Sequence, residues 1–161
     1  MSIIEYGISA YFHCGETRLE VLDGIQTWFL KLFGICPRVA FLKHHLAPLK
    51  YRRLWSMYGL LYKIATRTAP PLLNDLFELV PPARYVSRFT RQRHRLCLQD
   101  PRGKVKGRRD LFIYTNSIFG LVSSFNQLPS SMIDVSDIHA FQRALQNDLK
   151  QQIRDHPNIP L

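Results

Sequence analysis

Apolar residues recur at steps of three and four from Thr17 to Phe33, at Leu19, Leu22, Ile25, Phe29, Leu32 and Phe33. That spacing predicts a helix with one apolar face. Thr17 with Glu20 three residues on forms a capping-box pattern, and Gly34 is placed to end the helix. Pro37 suits the first turn of a short helix reaching Leu46. Pro48 opens the strongest pattern, "PLKYRRLWSMYGLLYKIAT". Leu49, Leu54, Met57, Leu60, Leu61 and Ile64 form its stripe, and Trp55, Tyr58 and Tyr62 widen it, so this helix is expected to be central. Trp28 and Trp55 lie on or beside apolar stripes and are expected to pack in the core.

Pro71 starts a short helix in "APPLLNDLF", which "VPPAR" stops. From Arg84 to residue 110 periodicity is lost, and Pro101, Gly103 and Gly107 mark a loop with room for one or two short strands around "RLCL" and "LFIY". "NSIFGLVSSF" fits a helix or a buried strand equally by period. In "SSFNQLPSS", Pro129 blocks helix continuation, Asn126 and Gln127 can bond nearby backbone, and Phe125 and Leu128 can anchor a corner. A last helix, capped by Ser136 or Asp134, lines up Ile138, Phe141, Leu145, Leu149 and Ile153 on one face. The fold class is therefore mostly α: helices, a basic loop-rich insertion and a C-terminal helix.

Composition permits such a core. The chain has 161 residues, 46% of them hydrophobic, and a domain of this size buries roughly 70% of its unfolded surface. Apolar runs are broken by Lys31 and Lys63 well short of a bilayer span, and Glu5 sits where a signal peptide would be basic and then apolar. An intracellular location without a membrane partner is expected. Cys14, Cys36 and Cys97 show no C-x-x-C spacing and are expected to be free thiols.

Charge changes the picture more. Between Arg84 and Arg109 stand Arg84, Arg88, Arg91, Arg93, Arg95, Arg102, Lys104, Lys106, Arg108 and Arg109, against one acid, Asp100. This segment holds nearly all of the chain's formal charge of +10. Tyr85, Phe89 and His94 interleave with its arginines, so bases can stack beside paired phosphates. These ten cations are the candidate nucleic-acid-binding residues, RNA or DNA being the partner. Arg52 and Arg53, early in their helix, are either buried partners of acids or a second phosphate-facing pair.

Other chemistry finds little support. His13, Cys14, His44, His45, His94 and Cys97 lack zinc spacing, and neighbouring histidines on a helix point apart. No metal or other cofactor is expected. There is no G-x-S-x-G elbow, so Ser117, Ser123, Ser124, Ser130 and Ser131 read as caps and turn residues. No Walker-type glycine loop occurs, and carboxylates are not paired. No catalytic residue is assigned, and an enzyme is not expected.

In order, these pieces resemble the carboxy-terminal region of non-LTR (LINE-type) retrotransposon reverse transcriptases. "IIEYG" is similar to the family's segment at the start of the thumb, and "RLEVLDGIQTWFLKLFG" to its helix carrying Glu20 and Gln26. "LAPLKYRRLWSMYGLLYKI" places Arg52, Arg53, Tyr62 and Lys63 in register. "RQRHRLCLQDPR", "SIFGLVSSFNQLP" (with Phe125 where the family usually has Trp) and "IHAFQRAL" follow in the family's order. The resemblance implies a helical thumb-like bundle over 1–83, a basic loop over 84–110 and a C-terminal helical region over 111–161. It implies a module that would hold template and primer beside a polymerase. The F/Y-x-D-D metal motif is absent, as are endonuclease and RNase H signatures, so the expected role is non-catalytic nucleic-acid binding. The alternatives are a helical protein-interaction module, whose apolar thumb face self-associates or packs on a missing palm, and a degenerate element-derived frame with no selected function.

Overall fold

The computed structural model describes residues 7–80, 94–99 and 115–156. The chain divides into two compact units, one of Met1–Ser56 with Arg143–Leu161 and one of Met57–Gln142. Its described residues are mostly helical, with no strand among them. Eight helices follow in order among the described residues: α1 (Ile8–Tyr11), α2 (Glu16–Leu32), α3 (Pro37–His44), α4 (Leu49–Ala65), α5 (Pro71–Asn74), α6 (Val122–Phe125), α7 (Ser130–Ile133) and α8 (Ile138–Asp155). Among the described residues no single helix is long and apolar enough to cross a membrane.

In the first unit, Gly15 precedes α2 without a side-chain cap, so Thr17 does not do the capping expected of it. The other end follows expectation. Gly34 takes φ +62°, and the Gly34 and Ile35 N–H groups donate to the Lys31 and Leu30 carbonyls. This double closure satisfies carbonyls that the helix end would leave bare, and a left-handed residue makes it possible. Pro37 begins α3 as expected. Phe41, Ala47, Leu149 and Ile153 form the unit's core, with Leu42, Tyr51 and Trp55 against it. The Trp55 ring lies 6.2 Å from Phe41 and 6.3 Å from Tyr51, so Trp55 packs as predicted.

Trp28 does not. It is 62% exposed, and Val21 67%, and Ile25, Phe29, Leu32 and Phe33 are exposed with them. The side of α2 that turns inward holds buried Leu30 with half-buried Leu19, Leu22, Asp23 and Gln26, so only the first two residues of the expected stripe face inward. The reason lies in α4. Arg53, only 4% exposed, donates from both terminal guanidinium nitrogens, Nη1 and Nη2, to the Asp23 carboxylate at 2.6 and 2.8 Å. A buried cation left unpaired costs several kcal/mol, so Asp23 must face it and the side carrying Ile25, Trp28 and Leu32 turns away. This settles the choice for Arg53, which is an acid's buried partner. Gln26 reinforces the orientation, donating to the Ala47 carbonyl at 3.0 Å and accepting from the Leu49 N–H at 2.8 Å.

In the second unit, Met57, Tyr58, Leu61, Tyr62, Ile64 and Ala65 of α4 are buried, whereas Leu60 is half-buried. Gly59 is buried, and a Cβ there would meet Gln142 Nε2 at 3.0 Å and Ile138 Cδ1 at 3.2 Å. Tyr62 stacks on Phe141 at 4.8 Å and donates its hydroxyl to the Val135 carbonyl. Phe125 packs fully buried with its ring 6.4 Å from Tyr58 and 6.3 Å from Phe141. "NSIFGLVSSF" resolves into turns and the short α6. Of the predicted α8 face, this unit holds buried Phe141 and half-buried Ile138, and the first unit holds Leu145, Leu149 and Ile153, all buried. Its cap is neither Ser136 nor Asp134 but Asp137, whose Oδ1 accepts the Ala140 N–H at 2.8 Å.

Candidate nucleic-acid interface

Of the ten candidate cations, Arg84, Arg88, Arg91, Arg93, Arg102, Lys104, Lys106, Arg108 and Arg109 lie outside the described residues, as does "LFIY". Arg95 lies inside them, within 94–99. What the structure describes is therefore how the middle of the basic segment is fastened.

Three polar attachments, one apolar contact and one exposed ion pair hold this stretch. Leu98 forms an antiparallel bridge with Leu79. Within it the Val80 N–H donates to Cys97 at 2.9 Å and the Gln99 N–H to Glu78 at 2.7 Å. On the other side Asn126 treats Leu98 as a strand neighbour would. Its Oδ1 accepts the Leu98 N–H at 2.9 Å, and its amide donates to the Leu98 carbonyl at 2.7 Å. One side chain thus satisfies both backbone groups of a buried residue, groups that cost about 1–3 kcal/mol each if left bare. Asn126 was expected to bond nearby backbone, yet its partner is 28 residues away. Sequence offers an amide next to a helix stop but no sign of which chain segment it reaches.

His94 is the third attachment. Buried, it stands 3.0 Å through Nε2 from the Phe125 carbonyl. A carbonyl only accepts, so Nε2 carries the proton in the neutral ring. The imidazole meets the Phe125 ring edge-on at 5.5 Å. Burial lowers the His94 pKa below its ordinary value, while the Phe125 carbonyl and the Asp134 charge oppose that shift. Cys97 is buried beside it, its thiol donating to the His94 carbonyl at 3.1 Å. Arg95 points outward and pairs with Asp134 at 3.0 Å. Both partners of that pair are exposed, and such pairs contribute little.

Among the described residues no group of three or more His, Cys, Asp or Glu is placed to hold a metal ion. His45 takes a left-handed backbone, φ 58°, and its Nδ1 lies 2.6 Å from Lys150. Ser124, within α6, donates to the Leu121 carbonyl at 3.0 Å, and Ser117 accepts the Phe119 N–H at 3.3 Å in the turn before it. No family model, curated protein or solved structure matches this chain.

Proposed function

We propose that this chain is a non-catalytic module derived from the carboxy-terminal region of a LINE-type reverse transcriptase. In this reading it binds RNA or DNA, with little sequence preference, through the Arg84–Arg109 segment. The observation that carries the proposal is charge: ten cations against one acid in a single segment, far more than its own acid can neutralise. Cations grouped this way release condensed counterions when they meet phosphates. The anchoring of residues 94–99 supports the reading, since a tethered basic segment loses less freedom on binding than an untethered one. The derivation is supported by the jobs of the residues that carry the resemblance. Gln26, Arg53, Tyr62, Phe125 and Asn126 each hold a defined post.

The test is a titration with short duplex and single-stranded probes across salt. If about five cations meet duplex phosphates, log K falls against log salt with a slope of about −4 to −5. Replacing Arg91, Arg93, Arg95, Arg108 and Arg109 by Ala should abolish that binding and leave the helical signal intact. A flat salt response, or unchanged binding by that variant, contradicts the proposal. A second reading, a protein-interaction module, is favoured by one specific observation: the apolar face that α2 turns outward.

A further inference from the structure

Val21, Ile25, Trp28 and Leu32 are spaced four, three and four residues apart along α2, and all are exposed. Phe29 and Phe33 extend the same surface. With aromatic side chains covering about 150–250 Å² each, the six residues expose roughly 600–700 Å². Isolated monomers seldom exceed about 300–600 Å² in one apolar patch, and a stable dimer needs roughly 800 Å² from each partner. The four-three-four spacing is that of an interhelical seam.

One flank of the stripe carries a second feature. Gly24 sits in mid-helix, and a Cβ built there would meet nothing within 4 Å. Glycine in a helix interior costs about 0.5–1 kcal/mol relative to alanine, and no neighbour among the described residues requires it. Around it Glu20, Asp23, Thr27, Trp28 and Lys31 line a shallow hollow of about 420 Å³. The hollow leaves room for another side chain or helix to approach closely. Glu20 stands towards the start of the helix and Lys31 at its end, both on this flank.

We propose that α2 pairs antiparallel with α2 of a second copy of this chain, about a two-fold axis near Gln26 and Thr27. This deepens the interaction-module reading and rests on it. The symmetry of the stripe points to the arrangement. Such an axis sets Val21 against Leu32 and Ile25 against Trp28, each pair occurring twice because the interface is self-complementary. It keeps the Glu20–Lys31 flank on the same side in both copies and brings Glu20 within about one turn of the second copy's Lys31. A parallel two-fold pair would instead put this flank on opposite sides of the seam in the two copies, setting Lys31 against the second copy's Phe29 and Phe33 with no opposite charge to meet.

Sedimentation equilibrium on the full chain tests this directly. The wild type should be a dimer that dissociates on dilution, and Trp28→Glu a folded monomer. Lys31→Glu converts two attractions into two repulsions and should weaken the dimer roughly tenfold, and the double variant Glu20→Lys with Lys31→Glu should restore it. Gly24→Gln separates folding from pairing, raising the melting temperature of the dilute monomer while weakening the dimer. A dimer indifferent to Trp28→Glu, or a charge swap that fails to rescue, overturns the arrangement. A membrane is the competing occupant, because α2 and α3 together, bent by 81°, have the length and composition of a broken span. A monomer that floats with phosphatidylcholine vesicles overturns self-pairing in favour of lipid. If the wild type is a monomer but binds an apolar dye in a Trp28-dependent way, pairing fails and the open face stands. If it binds no dye, both fail.

Discussion

α2 and α8 are the two longest amphipathic patterns outside the central helix, and they use their apolar residues in opposite ways. α8 buries Phe141, Leu145, Leu149 and Ile153, so its stripe builds the core as a surface helix ordinarily does. α2 buries Leu30 but turns Asp23 and Gln26 inward, leaving Val21, Ile25, Trp28 and Leu32 exposed. Periodicity establishes that a helix has a face. It does not establish which way the face turns when a neighbouring helix presents a buried arginine. In α2 one ion pair and one amide outweigh the burial of a tryptophan on the other side.

The comparison can be broken at several points. The largest effect should come from α8: Phe141→Ala removes a fully buried ring stacked on Tyr62. It should cost about 3–5 kcal/mol in urea unfolding, and a loss below about 1 kcal/mol would mean that α8 does not carry the core. Next, Asp23→Ala strands the Arg53 guanidinium. Breaking a wholly buried pair costs about 3–5 kcal/mol; because the Asp23 side chain is 31% exposed, about 2–3 kcal/mol is expected here. Gln26→Ala leaves the Ala47 carbonyl and the Leu49 N–H without this partner and should cost about 1–3 kcal/mol. If Gln26→Ala is neutral, α2 is not fixed by its polar side.

A smaller effect should appear with pH. The folded chain holds His94 neutral more stubbornly than the unfolded chain does, since its pKa is lowered by burial. Above the ordinary value of 6.5 neither state binds the proton, and the contribution of His94 is complete. As pH falls below that value, the unfolded chain takes up a proton that the folded chain resists, so stability drops. The drop ends once folded His94 itself protonates. Urea midpoints measured down this range should fall for the wild type and fall less for His94→Gln. Equal slopes would remove His94 from the anchor.

Much of the helical layout was legible in the sequence because proline, glycine and three-four spacing act locally. Gly34 closes α2, Pro37 and Pro71 open their helices, and the α8 stripe is buried where the pattern placed it. The parts that were not legible depend on partners far along the chain. Asn126 reads as a corner residue until Leu98 is placed beside it. Arg53 reads equally as a phosphate contact until Asp23 is seen to face it. The α8 cap shifts to Asp137 because three carboxylate or hydroxyl candidates stand within four residues, and propensity alone cannot rank them. Of the candidate site, the sequence made the charge visible, whereas the anchor that holds residues 94–99 rests on contacts to Leu79, Phe125 and Asn126, far along the chain.

Two tryptophans report directly on the outward face of α2. In dilute protein, iodide quenching is measured on Trp55→Phe, which leaves Trp28, and on Trp28→Phe, which leaves Trp55. Trp28, 62% exposed, should be quenched readily, and Trp55, packed with Phe41 and Tyr51, should be shielded. A Trp28 as shielded as Trp55 would mean that α2 turns Trp28 inward, contradicting an outward apolar face.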